Sequence, residues 1–219
     1  MRLFFLLMPL CLCFSSAQAF ENHILTYKTS VEGVETKTDW LVEQPSEKIE
    51  INGQNKGSDI KVEYSPSFSL LHYTEIQDGQ NLFDIIKEGN QLLVKSKTSA
   101  LKKLKLGTLP WIQEFKFGLQ PFLSSAKNEF AFCIVYAKDH SLHDMVATKE
   151  KEEILTIEGQ HYETQKLKIT LKGFKSRFWK AEAWFDKKTH FLVKYKANEG
   201  PRTPYTEVIL SEKKIKESL

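Results

Sequence analysis

The sequence predicts a mainly β protein, and three observations predict it. Apolar and polar residues alternate with a period of two along most of the chain. Turn pairs such as Glu32-Gly33, Asp78-Gly79, Gly89-Asn90 and Glu158-Gly159 punctuate that alternation at short intervals. Only one stretch, about 109–125, departs from it and carries a helical spacing. Regularly spaced short strands with polar turns fit an antiparallel sandwich, barrel or half-barrel.

Taken in order, Leu25, Tyr27 and Thr29 give a first strand, and Val34 to Val42, with Trp40 on its apolar side, a second. Ile49 and Ile51 predict a short strand ending in a turn at Asn52-Gly53. Ile60 to Tyr64 and Phe68 to Ile76 follow, then Leu82 to Lys87 and Gln91 to Lys97 around Gly89-Asn90. Glu129 to Tyr136 is almost wholly apolar and predicts a central strand covered on both faces. Lys149-Glu150-Lys151-Glu152-Glu153 reads as an exposed turn. His161 to Leu171, Arg177 to Phe185, Phe191 to Lys196 and Val208 to Leu210 complete the sheet. In the exceptional stretch, Trp111, Ile112, Phe115, Leu119, Phe122 and Leu123 fall on one helical face, with Pro110 at the start. Gly118 and Pro121 interrupt it, which predicts one helix or two short turns packed on the concave face.

The first nineteen residues carry a different signal. Arg2 is the only charge, Leu3 to Phe14 is an apolar run too short to span a bilayer, and Ala17-Gln18-Ala19 places small residues at a cleavage site. This predicts a signal peptide over 1–19, with 20–219 forming a single exported β-rich domain. Its removal takes Cys11 and Cys13 and leaves Cys133 alone, so the mature chain has no intramolecular disulfide. Cys133 sits in an apolar run and is expected to be a buried, unreactive thiol. An exported chain of this size without disulfides suits a bacterial periplasm. Neither leader cysteine follows a small residue as a lipid-anchor site requires, and no other segment of the mature chain reads as transmembrane.

The leader removes only Arg2, which leaves thirty basic against twenty-eight acidic residues, a net charge near neutrality that gives no reason to expect nucleic acid. One local excess stands out: Lys95, Lys97, Lys102, Lys103 and Lys105, with no acid between them. Such a run can meet anionic head groups or another acidic surface. It equally describes a solvated edge strand that lysines protect from aggregation, and that is the expectation.

Of the motifs that carry chemistry, His140, His143 and Asp144 form the best constellation for a divalent ion. In an extended segment, however, His140 and His143 point to opposite faces, so no metal and no cofactor is expected. No nucleophile elbow and no phosphate-cradling glycine loop occurs, so a metal-dependent hydrolase ranks last among the functions considered. The positive signal is aromatic: four tryptophans and fifteen phenylalanines in the chain. Trp40, Trp111, Phe115, Phe122, Trp179 and Trp184 are the candidates to line an apolar pocket between sheet and helix. Trp179 and Trp184, five apart on one predicted strand, are expected on opposite faces.

Several segments recur together in known sequences: Pro110-Trp111-Ile112-Gln113, Gln120-Pro121-Phe122, Phe130 to Tyr136, Ile157-Glu158-Gly159, Phe178 to Phe185, and Asn198-Glu199-Gly200-Pro201 with Thr203-Pro204. In that order they resemble uncharacterised exported bacterial proteins of a domain-of-unknown-function family, itself similar to the lipoprotein carriers of the periplasm. The resemblance covers about Leu104 to Ser211 and consists of structural aromatics and turn residues. It implies an antiparallel half-barrel or strongly curved sheet with one or two helices, about 109–125, on its concave face, and a non-enzymatic role. Together these readings give an exported, periplasmic protein that binds a lipid or other apolar small molecule in a half-barrel cavity. The alternative is an envelope structural protein with a solid core that docks a protein partner.

Overall fold

The computed structural model describes residues 21–45, 47–55, 57–97, 99–177, 179–198 and 203–216; the predicted leader lies outside them. Fourteen strands form one sheet: β1 (His23–Val31), β2 (Val34–Glu43), β3 (Ile49–Asn55), β4 (Ser58–Tyr64), β5 (Leu70–Gln77), β6 (Gln80–Glu88), β7 (Gln91–Ser96), β8 (Ser99–Lys105), β9 (Glu129–Tyr136), β10 (Ser141–Ile157), β11 (Gln160–Leu171), β12 (Lys180–Asp186), β13 (Leu192–Asn198) and β14 (Tyr205–Ile215). Their spatial order is β8-β7-β6-β5-β4-β3-β2-β1-β14-β13-β12-β11-β10-β9, with every pairing antiparallel. This is a meander interrupted once. The first and last strands pair in its middle, and its two edges, β8 and β9, are consecutive in sequence. The sheet curves without closing into a barrel, as the half-barrel expectation required.

The crossover from β8 to β9 holds the helical residues, split into α1 (Phe115–Gly118) and α2 (Gln120–Leu123). Two short turns, rather than one helix, follow from Pro121 in the first turn of α2 and from Gly118, where a Cβ would come within 2.7 Å of Ile112. Both turns bury their aromatic side against the inner face of the sheet. Phe117 packs on Trp40 with ring centroids 5.3 Å apart, Phe115 on Phe132 at 5.8 Å, and Phe122 stacks on Phe130 at 5.4 Å. One core cluster therefore runs from Leu25 and Trp40 through the plug to Phe132 and Phe185.

Four local readings are corrected. Asn52-Gly53 is not a turn but lies within β3, since Gly53 is the residue over which Trp40 folds: a Cβ there would lie 2.8 Å from the indole ring. Glu129 to Tyr136 is an edge strand, not a central one, and is apolar because the crossover covers it. Cys133 N donates to Pro110 O at 2.9 Å, and Ile112 N donates to Cys133 O at 2.9 Å. The Gln113 side chain then continues the ladder, accepting from Val135 N at 3.1 Å and donating to Val135 O at 2.9 Å. Lys149 to Glu153 lies inside the long strand β10, where a register shift against β11 between Lys149 and Glu152 breaks the alternation that sequence reading relies on. The strand read over 177–185 begins at Lys180, after a 3₁₀ turn at Gly173–Arg177, so Trp179 precedes it.

Two substitutions test this packing. Gly53→Ala forces a methyl against the Trp40 ring and is expected to cost about 1–3 kcal/mol in urea unfolding, as overpacking does. Gln113→Leu leaves the buried N–H and C=O of Val135 without partners. It is expected to cost about 1–3 kcal/mol and to raise aggregation at the uncovered β9 edge, read by light scattering.

Candidate functional site

In the interior of the strand order the inner faces of β1 to β4 meet α1 in a recess of about 130 Å³. Strand register builds it: Tyr27 pairs with Thr38, Trp40 with Gly53, Gly53 with Ile60, and Asn55 with Ser58, so these side chains line one face in rows. Thr29, Thr38, Asn55 and Ser58 make a neutral polar rim; Tyr27, Trp40 and Ile60 make an apolar wall.

Lys116 enters the recess from α1. Its Nζ lies 2.8 Å from Glu114 Oε1, 4.8 Å from the centroid of the Trp40 ring and 6.0 Å from that of Tyr27. Glu114 is the N-cap of α1, accepting from Lys116 N at 3.5 Å, so one carboxylate both starts the turn and holds the ammonium. The two side chains are mostly buried, at 19% and 14% exposure. Behind them stand the tyrosines. Burial, and after it the negative charge of Glu114, raises the phenols of Tyr27, Tyr64 and Tyr195 above their ordinary value; Tyr73 is raised by the same two causes and by Glu75. Tyr27 Oη donates to Leu192 O at 2.9 Å. Trp40 Nε1 and Tyr64 Oη are buried with no hydrogen-bond partner among the described residues.

The six aromatic candidates separate into two groups. Trp40 walls the recess, while Trp111, Phe115, Phe122 and Trp179 belong to or pack against the same core. Trp184 lies outside that core cluster, on the other face of β12 from Ala181, Ala183 and Phe185, where its Nε1 donates to Glu153 Oε1 at 2.6 Å and Lys166 and Lys194 flank its ring. Trp111 Nε1 donates to Gln113 Oε1 at 3.2 Å and so orients the amide that covers β9.

The lysine run falls on β7, the turn after it, and the edge strand β8, all of it exposed. Lys102 alone reaches across the gap between the edges, its Nζ donating to Asp139 O at 3.3 Å. His140 stacks on Phe83 with centroids 5.6 Å apart and shares a hydrogen bond with Ser99 Oγ at 3.2 Å. His143 instead lies 3.7 Å from Asp139. Neither these two histidines with Asp144 nor any other three His, Cys, Asp or Glu among the described residues are arranged to hold a metal ion. Cys133 is free and buried, and burial pushes its thiol up to about 11.

Sequence reading missed Glu114, Lys116 and the polar rim. The signal was present in Glu114-Phe115-Lys116-Phe117, an alternation of charge and ring inside the helix-spaced stretch, but the helical period drew attention to the rings alone.

No family model matches the sequence, and no curated protein matches it. Among solved structures, the fold is similar to that of a β-barrel-like protein of a domain of unknown function from Brucella abortus, with 8% identity and a TM-score of 0.64 over 90% of this chain and 99% of that one. Looser overlaps are found with the hypothetical lipoprotein YmcC of Escherichia coli (12% identity, TM-score 0.39, covering 86% and 84%) and a LolA superfamily protein of Nitrosomonas europaea (10% identity, TM-score 0.25, covering 91% and 87%). The fold-level likeness rests on the Brucella protein, and at that identity it is a likeness of fold alone.

The buried acids give a pH prediction. Between 9.0 and about 11 an unfolded Cys133 thiol loses its proton while the folded one keeps it, and the buried tyrosines act in the same direction above their ordinary value. The unfolded state then binds fewer protons than the folded state, so stability is full below that window and falls as pH rises through it. Urea unfolding from neutral pH upward is expected to show this decline. Cys133→Ala is expected to make it shallower at its onset.

Proposed function

We propose that the protein is an exported, non-catalytic binding module of the bacterial envelope, formed by one domain over 20–219. It takes an apolar, lipid-like ligand between its curved sheet and the α1–α2 plug. The observation that carries this reading is how the plug is held. Among the described residues, the backbone–backbone hydrogen bonds of 114–125 stay within the segment. Its ties to the sheet are made by side chains: ring contacts, the Lys116 ammonium on the Trp40 and Tyr27 rings, a Ser124 Oγ–His190 Nδ1 hydrogen bond at 3.2 Å, and the Lys149 ammonium, which donates to Leu123 O and Ser125 O at 3.1 and 2.6 Å. Most of what ring contacts supply is apolar burial, which is non-directional, so an acyl chain can replace it at the cost of the smaller ring–ring geometric term.

The recess in this state, about 130 Å³, is smaller than the roughly 300–1,000 Å³ of ordinary ligand pockets. A full-length chain therefore occupies space that Phe117 and its neighbours now fill, and binding displaces the plug. The gap between β8 and β9 supports the reading, because an unclosed wall can part where a closed barrel cannot. The predicted leader supports export. We read the lysines of β8 as guards of an unpaired edge rather than as a docking surface for a partner protein.

Native mass spectrometry of gently purified protein is expected to show a co-purifying lipid, and a fluorescent fatty acid is expected to bind and be displaced by lysophospholipids. Phe117→Ala, which opens the inner space, is expected to cost about 3–5 kcal/mol in stability yet bind the fatty acid several-fold more tightly. A wild-type protein that carries no lipid and binds neither probe overturns the reading.

A further inference from the structure

Lys116 occupies a place suited to a ligand. Its ammonium stands over the Trp40 ring at 4.8 Å, at the margin of the Tyr27 ring at 6.0 Å, and against a carboxylate oxygen of Glu114 at 2.8 Å. Two aromatic faces and one carboxylate are the elements of an ammonium site, since the ring quadrupole and the negative charge both favour a cation that has left water. Glu114 Oε1 has a second partner besides Nζ, the backbone Lys116 N at 3.5 Å at the start of α1, whereas Lys116 reaches the site on a flexible stem and lines the recess. Glu114 stands beside the lining, in contact with it through Lys116 Nζ, and apart from Lys116 the lining itself carries no charge. Thr29, Thr38, Asn55 and Ser58 offer hydroxyl and amide oxygens to N–H donors, so the site is matched to one positive charge. The recess has the volume of about four water molecules, that of a small ammonium head and not of an acyl chain.

We infer that this recess is an ammonium subsite for which Lys116 is a tethered stand-in: an incoming primary or quaternary ammonium takes the place of Nζ against Trp40, Tyr27 and Glu114 while the lysine stem turns out to solvent. The inference rests on the lipid-binding reading only in taking the ammonium to be the head of a lipid; a free amine of the same chemistry would use the same contacts. It gives the plug a second task. Besides filling the inner space, α1 supplies both the anion that selects the head group and the cation that holds the site in its absence.

The test uses ethanolamine and choline as chloride salts on the mature protein, with the Trp40 indole N–H resonance as readout, assigned by its loss in Trp40→Phe. Lys116→Ala vacates the site and is expected to respond to either cation at a concentration lower by on the order of tenfold than wild type. Lys116→Met, whose thioether fills the same space, is expected not to gain, and Glu114→Gln in the Lys116→Ala background is expected to lose the response. Equal responses of the alanine and methionine variants, or none in the alanine variant, overturn the inference.

A second measurement needs no variant. In native mass spectrometry of wild type, a lysophosphatidylethanolamine is expected to outcompete its N-acetylated form of the same chain length. If both bind equally and the cations give no response, the ammonium site is refuted while lipid binding stands. If the cations respond and no lipid binds, the ammonium site stands for a free amine and the lipid reading fails.

Discussion

The Gln113 side chain takes the place of a neighbouring strand along β9, and much of the molecule depends on that substitution. A meander of fourteen strands that does not close has two edges, and each edge presents unpaired N–H and C=O groups. At β9 the backbone of Pro110 and Ile112 satisfies Cys133, and the Gln113 amide then satisfies both polar groups of Val135. An amide side chain can do this because it carries the same donor and acceptor as a peptide unit. Since 110–113 is fixed to the strand, Glu114 and α1 follow directly, and the direction in which α1 enters the inner space is set. The site geometry is thus a consequence of how an edge is covered.

The other edge is treated differently. β8 has no partner on its outer side and is exposed along most of its length, with lysines at three of its seven positions. Lys102 lies on the inner face opposite Val94, a position where an apolar residue would invite further pairing, and its ammonium is carried across the gap to Asp139 O. A solvated, charged strand costs little stability and discourages association with other chains. One edge is therefore covered by hydrogen bonds and the other by charge. The gap between them is spanned on the described residues by polar contacts of Lys102 and of Ser99 with His140.

Much of the fold was legible in the sequence because its signals are local. Period-two alternation gave the strands, and turns such as Glu32-Gly33, both with positive φ, gave the hairpins. Gly118 and Pro121 gave the broken helix. What was not legible depends on contacts distant in sequence. Gly53 looks like a turn residue until Trp40 is placed over it. Glu129 to Tyr136 looks central until the crossover is laid along it, and β10 reads as broken at Lys149 because a bulge shifts the alternation by one face. For the site, sequence reading found the walls and missed the contents. Trp40 was named for its bulk, but Glu114 and Lys116 matter through their distance to that ring, which no spacing in the sequence encodes. Trp184 has the same bulk and lies on the opposite face, where Glu153 and two lysines hold it.

The pairing of β1 with β14 constrains how this structure can be assembled. β1 through β8 and β9 through β14 are each sequential meanders, built from neighbours in sequence, and the one strand pairing between the two halves is that of β1 with β14. That junction is the longest-range pairing in the sheet, and the last strand must be available before it forms. Until then both β1 and β14 are open edges at what becomes the centre of the sheet. The bonds that span the junction are correspondingly numerous: Tyr27 Oη to Leu192 O, Ser211 Oγ to Thr26 O, Lys216 to Glu43, and Lys28 to Glu158 at the tip of the β10–β11 hairpin. Tyr27 belongs to this set and to the recess alike. Its hydroxyl ties β1 to β13 across β14 while its ring forms part of the ammonium's surroundings. The wall against which Lys116 sits is thus supplied by β1 to β4, but the hydroxyl of Tyr27 within it is anchored only when the two halves have met, which ties the site's rigidity to the finished sheet.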